Sequence, residues 1–142
     1  MLTMDRLALA EELDRLVTLL PRLTPRGGLS VVAAATLADL ERRGPRRITE
    51  LAETQGVTQP AMTGLVGRLT AGGLVDRAAD PADRRGVLVS VTDDGRAVLA
   101  ARRQARAAAL ATLLDDLDAD DHAALVAALG AVNRLVSKGT LA

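Results

Sequence analysis

The sequence predicts a mainly α-helical fold with a small β-hairpin: a winged helix-turn-helix flanked by N- and C-terminal helices. Three observations carry this. Ile48-Thr49-Glu50-Leu51-Ala52, the turn Gly56-Val57 and Thr58-Gln59-Pro60-Ala61-Met62-Thr63 read as two short helices joined by a tight turn. Leu74-Val75-Asp76-Arg77 and Val87-Leu88-Val89-Ser90-Val91 follow at once, flanking Asp80-Pro81-Ala82-Asp83-Arg84-Arg85, as a hairpin with an arginine-bearing loop should. Third, 142 residues that are 49% apolar but contain no Phe, Trp or Tyr must fill one core with Leu, Val and Ala, which favours closely packed helices.

The elements follow in order. Leu9, Leu13, Leu16, Val17 and Leu20 recur at helical spacing, predicting an amphipathic helix over residues 4–20 that Pro21 and the cluster Thr24-Pro25-Arg26-Gly27-Gly28 end. Ser30 caps a second helix running through Arg42 or Arg43, with Leu37 and Leu40 inward and Gly44-Pro45 as its stop. The third helix is expected from about Thr49 to Gln55, closed by Gly56 in the left-handed conformation, with Ala52 small where the next helix crosses. Thr58 caps the fourth, Gln59 to Ala71, in which Pro60 is tolerated in the first turn. Met62, Leu65, Val66 and Leu69, spaced i, i+3, i+4, i+7, form its buried side. Strands at about 74–79 and 86–91 make the hairpin. Thr92-Asp93-Asp94-Gly95 opens a long helix to about Asp116, with acids where the helix dipole favours them. Asp118 caps a last helix whose stripe of Leu125, Leu129, Val132, Leu135 and Val136 runs to the C-terminus.

Composition excludes several classes. Without Cys there are no disulfides, thiolate metal sites or thiol redox sensors. No apolar run approaches membrane-spanning length and the first twenty residues carry scattered acids, so the expectation is a cytoplasmic chain without a membrane partner. The formal net charge is zero, yet residues 42–106 hold 12 Arg against 7 acids, while residues 1–41 hold 4 Arg against 6 and residues 107–142 two cations against 5 acids. Positive charge therefore gathers on the segment holding the hairpin, as a nucleic-acid reader requires. A codon bias that fills solvated faces with Arg and Ala accounts for part of the same pattern.

The fourth helix turns Gln59, Thr63, Gly67 and Arg68 outward, with Gly64 on the same side. Gln can pair with adenine, and Thr can reach bases or phosphate. Taken alone, that row is equally an ordinary solvated face. The hairpin favours duplex DNA: Arg84 and Arg85 directly after a helix-turn-helix can enter a minor groove or grip phosphates, with Asp83 aiming one of them through a charge-assisted hydrogen bond.

From about Leu29 to Leu99 the chain resembles the winged helix of the multiple-antibiotic-resistance regulator (MarR) family. The pieces that match are Ile48–Ala52, Val57–Thr63, Gly73–Arg77, Asp80–Arg85 and Leu88–Gly95. The resemblance implies an interlocked homodimer, residues 29–99 reading double-stranded DNA and residues 1–20 and 100–142 serving as dimerisation helices of a single domain, 1–142. It implies binding to palindromic operators, usually as a repressor released by small anionic or phenolic effectors. By motif match it assigns DNA contacts to Thr58, Gln59, Thr63, Arg68, Arg84 and Arg85, with Asp83 supporting the wing; no effector-binding residue, cofactor or metal follows from it. The chain departs from the family's pattern at Gly64, where a basic or larger polar residue is common. Lacking aromatic residues, it offers an effector only an aliphatic floor with an Arg as anchor.

The apolar stripes of the first and last two helices exceed what a winged domain of some fifty residues can cover, which points to a second copy or to helices folded back on the core. Other readings stand beside the regulator: a winged helix used for protein contacts, or a DNA-binding protein without an effector. An enzyme is disfavoured, because His122 is the only histidine, no nucleophile motif appears, and Asp115, Asp116, Asp118, Asp120 and Asp121 lack calcium-loop spacing.

Overall fold

Ser30 and Gly44 delimit the helix on which the rest is assembled. In the computed structural model, which describes residues 5–24 and 28–140, the Ser30 hydroxyl accepts from the Ala33 N–H at 3.1 Å and α2 runs Val31–Arg43. The remaining elements are α1 (Arg6–Leu23), β1 (Arg46–Arg47), α3 (Ile48–Gln55), α4 (Gln59–Ala71), β2 (Val75–Asp80), β3 (Asp83–Val91), α5 (Asp93–Leu114) and α6 (Ala119–Thr140). The expected first-helix start at residue 4, the Pro25-Arg26-Gly27 part of the connector and the last two residues lie outside the described residues.

Leu37, Leu40, Leu51, Met62, Val66, Val75 and Val89 are buried and form one core, contributed by α2, α3, α4, β2 and β3. The stripe Met62, Leu65, Val66 and Leu69 turns inward as its spacing requires. Gly56 takes φ +63°, and its N–H and that of Val57 return to the carbonyls of Glu53 and Ala52, so α3 stops in a turn an L side chain would strain. Thr92 stitches the start of α5 to the end of α4. Its N–H donates to the Leu74 carbonyl at 3.1 Å, its hydroxyl donates to the Gly73 carbonyl at 2.6 Å, and the same oxygen accepts from Gly95. Asp118 caps α6 by accepting from the Asp121 N–H at 2.8 Å.

Four expectations need correction. The sheet has three strands, ordered β1-β3-β2: Arg46 and Arg47 pair with Val89 and Leu88, a two-residue strand too short to show any alternation. Pro21 does not end α1, which continues to Leu23. A proline in the last turn lacks an N–H to give, and the Thr24 hydroxyl donates to the Leu20 carbonyl at 3.1 Å, occupying one carbonyl near that end. Helix α3 starts one residue early, at Ile48, with Arg47 as its cap. The hairpin strands reach further out than expected, so Arg84 and Arg85 lie on β3 and Pro81-Ala82 alone form the turn.

Every residue from Ala111 to Gly139 is exposed, and α1 buries none of its side chains. Leu7, Leu16 and Val17 on α1 and Leu125, Val126 and Leu129 on α6 thus leave two apolar faces open within one chain. Among the described residues, no helix is long and apolar enough to cross a membrane.

Candidate nucleic-acid interface

Helix α4 is presented by its own cap and buried stripe. The Thr58 hydroxyl accepts from the Ala61 N–H at 3.3 Å, fixing the first turn with Gln59 outward. That leaves the Thr58 O–H free to donate to a phosphate oxygen. Thr63 donates its hydroxyl to the Gln59 carbonyl at 2.9 Å, so toward solvent it offers acceptor lone pairs. Thr58, Gln59, Thr63 and Arg68 are all exposed; Gly64 is exposed too, and Gly67 is half-buried. The Arg68 guanidinium folds back along the helix, with Nη1 3.6 Å from where a Gly64 Cβ would stand.

The wing departs from regular pairing at its arginines. Asp80 faces Asp83 and Ala79 faces Val87, so Arg84, Arg85 and Gly86 have no register partner on β2. Such a bulge bends the strand and re-aims its side chains. Arg84 and Arg85 are exposed and in no ion pair among the described residues. Asp83 acts differently from expectation. Its Oδ1 accepts from the Arg85 backbone N–H at 3.1 Å and its Oδ2 lies 3.8 Å from an Arg47 nitrogen, so it bonds neither wing guanidinium; it shapes the Arg85 backbone instead.

Between wing and helix runs an open groove of about 330 Å3, lined by Gln59, Thr49, Arg47, Asp83, Arg85 and Gly86 among others. Gln59 and Arg85 thus share one groove. Arg68 lies apart from it, lining the clefts between α4 and the start of α2. Sequence reading missed three residues here. Thr49 is exposed on the first turn of α3 and lines the groove. Arg77 on β2 reaches back toward α4, with Nη2 3.9 Å from where a Gly67 Cβ would stand. Arg47 forks onto Asp80, Nε donating to Oδ2 at 2.8 Å and Nη2 to the same oxygen. The Asp80 carboxyl is held below the usual carboxylate range, first by the Ala82 backbone N–H at 2.9 Å and then by Arg47, whose own pKa this hydrogen bond raises. Only the Arg-rich context of residues 42–47 could have drawn attention to Arg47.

The arrangement is a convex helix with hydrogen-bonding side chains, a cationic bulge beside it and a groove between them. It can grip phosphates and reach base edges, and its groove gathers no pair of groups suited to acid–base or nucleophilic chemistry.

Comparison with known proteins accords with this geometry. The model of the MarR family matches residues 27–86. An uncharacterized HTH-type transcriptional regulator of Mycobacterium bovis is 33% identical over 114 residues, 80% of each chain. The HTH-type transcriptional repressor NicR of Pseudomonas putida is 39% identical over 71 residues, half of this chain and 45% of that protein. Among solved structures, the transcriptional regulator Tm0710 of Thermotoga maritima superposes with a TM-score of 0.73 at 24% identity, over 94% of this chain and 95% of that one. RV1404 of Mycobacterium tuberculosis superposes with a TM-score of 0.70 at 26% identity, over 92% and 90%. The chain belongs to the MarR family of winged helix-turn-helix transcriptional regulators.

Proposed function

We propose that the chain represses transcription by binding a palindromic operator as a homodimer, with α4 in the major groove and the β2–β3 wing on the flanking backbone or minor groove. The observation that carries this is the shared groove of Gln59 and Arg85, which lets one duplex meet the reading helix and the wing together. Residues 29–99 form the reading part. The uncovered apolar faces of α1 and α6, with Leu113, Leu114 and Leu117, support pairing of the terminal helices with those of a second copy. Repression is the role by which NicR is named.

The effector in this reading is a small organic anion. A cavity of about 290 Å3 lies where the end of α1 meets α2 and α5, with Ala34, Ala35, Ala38 and Leu99 as an aliphatic floor and Arg102 and Arg106 at its wall. Arg103 also lines it but is held by Glu41 at 2.5 Å, whose carboxyl this bond keeps below its ordinary range. A ligand here weakens operator binding only if it prefers the form that fits DNA poorly, and the operator then weakens the ligand equally.

The test is a gel shift on the promoter region of the chain's own gene neighbourhood, with light scattering alongside. Twice the chain mass of 14.8 kDa and a shift that Gln59→Ala weakens on the operator but not on random DNA are expected. Salicylate should raise the melting temperature and release the operator. A single-chain mass removes the palindrome; equal losses on operator and random DNA remove base reading; a broad set of organic anions without effect leaves a constitutive DNA-binding protein.

A further inference from the structure

Arg47 sits where three elements meet. It belongs to β1, where it pairs with Leu88, and it caps α3, its backbone N–H donating to Glu50 Oε2 at 2.8 Å. Its guanidinium spans to the wing and donates to Asp80, a residue 33 positions later that is 8% exposed. Asp80 in turn accepts from the Ala82 N–H, and Asp83, 3.8 Å from Arg47, accepts from the Arg85 N–H. A chain of polar contacts therefore leads from the start of α3 to the backbone of Arg85.

The third strand does not reach the wing's outer end. Strand β1 pairs no further out than Leu88, so the stretch from Asp80 to Gly86 extends beyond the third strand. Gly86 lets the bulge close over Asp80: a Cβ there would stand 3.2 Å from the Asp80 Cβ. With carboxylates at two of its faces, Arg47 has little charge left to offer a phosphate.

We infer that Arg47 is a positioning residue: through Asp80 and Asp83 it sets the angle of the wing against α4, and so the reach of Arg84 and Arg85, without itself contacting DNA. This rests on the wing reading proposed above. It makes a prediction opposite to that of net charge. Removing the Asp80 carboxylate takes a negative charge away from bound DNA, which by field alone tightens binding. If Asp80 anchors the wing, its loss weakens binding.

The experiment measures operator affinity against salt for the full chain carrying Asp80→Asn, Arg47→Lys or Arg47→Gln, with helical melting as control. Asp80→Asn should bind about tenfold more weakly, with a salt slope lower by about one counterion although no cation has been removed. Arg47→Lys should lose nearly as much as Arg47→Gln, because an ammonium keeps the charge but not the fork. In an Arg85→Ala background, Arg47→Gln should cost less than in the unmutated chain, since one of the two side chains it aims is gone. Equal or tighter binding by Asp80→Asn overturns the inference. So does an Arg47→Gln loss that adds in full to that of Arg85→Ala and is rescued by Lys, which makes Arg47 a phosphate contact. If a variant melts early, the comparison moves to Asp83→Asn, where unchanged affinity and slope also count against it. An unmutated chain that shifts no DNA defeats the wing reading itself, a result distinct from all of these.

Discussion

Gly64 and Gly67 place two poor helix formers in the thirteen-residue α4, and Gly64→Ala separates what they cost from what they permit. Neither residue has positive φ. A Cβ at Gly64 would have only Arg68 Nη1 within 4 Å, at 3.6 Å, and one at Gly67 only Arg77 Nη2, at 3.9 Å; both are ordinary contacts with the ends of flexible side chains. In the free protein, Gly64→Ala therefore meets no steric cost and gains about 1 kcal/mol of helix propensity. For a chain of this size that raises the melting temperature by roughly 2–5 °C. With no Trp or Tyr to report unfolding, circular dichroism at helical wavelengths is the suitable measurement. On DNA the sign reverses. Gly64 is exposed on the side that carries Gln59, Thr63 and Arg68, and a methyl driven into a close-packed contact costs about 1–3 kcal/mol, roughly 5- to 150-fold in affinity. The expected variant is more stable and binds its operator more weakly. Unchanged affinity would show that the helix backbone does not approach DNA at this position; a lowered melting temperature would refute the steric argument for the free protein.

Gly95→Ala should do the reverse to stability, because its Cβ would stand 2.3 Å from the Leu74 carbonyl oxygen and 2.8 Å from Val91 Cγ2. Overpacking against backbone costs about 1–3 kcal/mol or more and outweighs the helix-propensity gain, so melting falls; a rise would mean that α5 can shift on the sheet. Arg85→Ala should weaken operator binding substantially and Arg84→Ala less, with the Arg84 change lowering the salt slope by about one counterion; unchanged affinity in both would take the wing off the DNA. Asp80 and Glu41 have carboxyl pKa values lowered in the fold, so their contribution to stability is present above the unfolded value near 4 and is lost as pH falls through the lower folded ones. Asp80→Asn with Glu41→Gln should flatten the acid limb of a stability–pH profile and leave the slope between pH 6 and 8 unchanged, and a changed slope there would point to another group.

Helix α4 was legible residue for residue, since Thr58, Pro60, the stripe from Met62 to Leu69 and the Gly72-Gly73 stop all specify the same bounds. The exposure of its polar row followed from the same periodicity. What escaped was non-local. A two-residue strand has no period, so β1 became visible only through its partner β3. The Arg47–Asp80 bond joins residues that nothing in spacing connects, and the bulge that carries Arg84 and Arg85 exists only because β2 and β3 differ in length between their paired ends. Pro21 misled because a proline breaks a helix interior, whereas in a last turn followed by a capping Thr24 it is tolerated.

The neutral chain can serve a polyanion because its arginines outnumber its acids over residues 42–106 and are outnumbered on either side, and α5 runs from the basic part into the acidic one. Its cap, Thr92, is bonded to Gly73 and Leu74 just past the end of α4, with no room for a methyl at Gly95, so α5 and α4 have little freedom to move apart. Further along, the same helix supplies Leu99, Arg102 and Arg106 to the cavity, and Arg103 to the bridge with Glu41 on α2. Its far end leads into the exposed apolar residues Leu113 and Leu114. Twenty-two helical residues span roughly 33 Å, close to the roughly 34 Å separating half-sites one DNA turn apart. A tilt of about 5° at the cavity would displace one end of such a lever by roughly 3 Å relative to the other. On the dimeric reading proposed above, that displacement alters the separation of two α4 helices. A ligand that favours the tilted form thus needs no contact with DNA to release it.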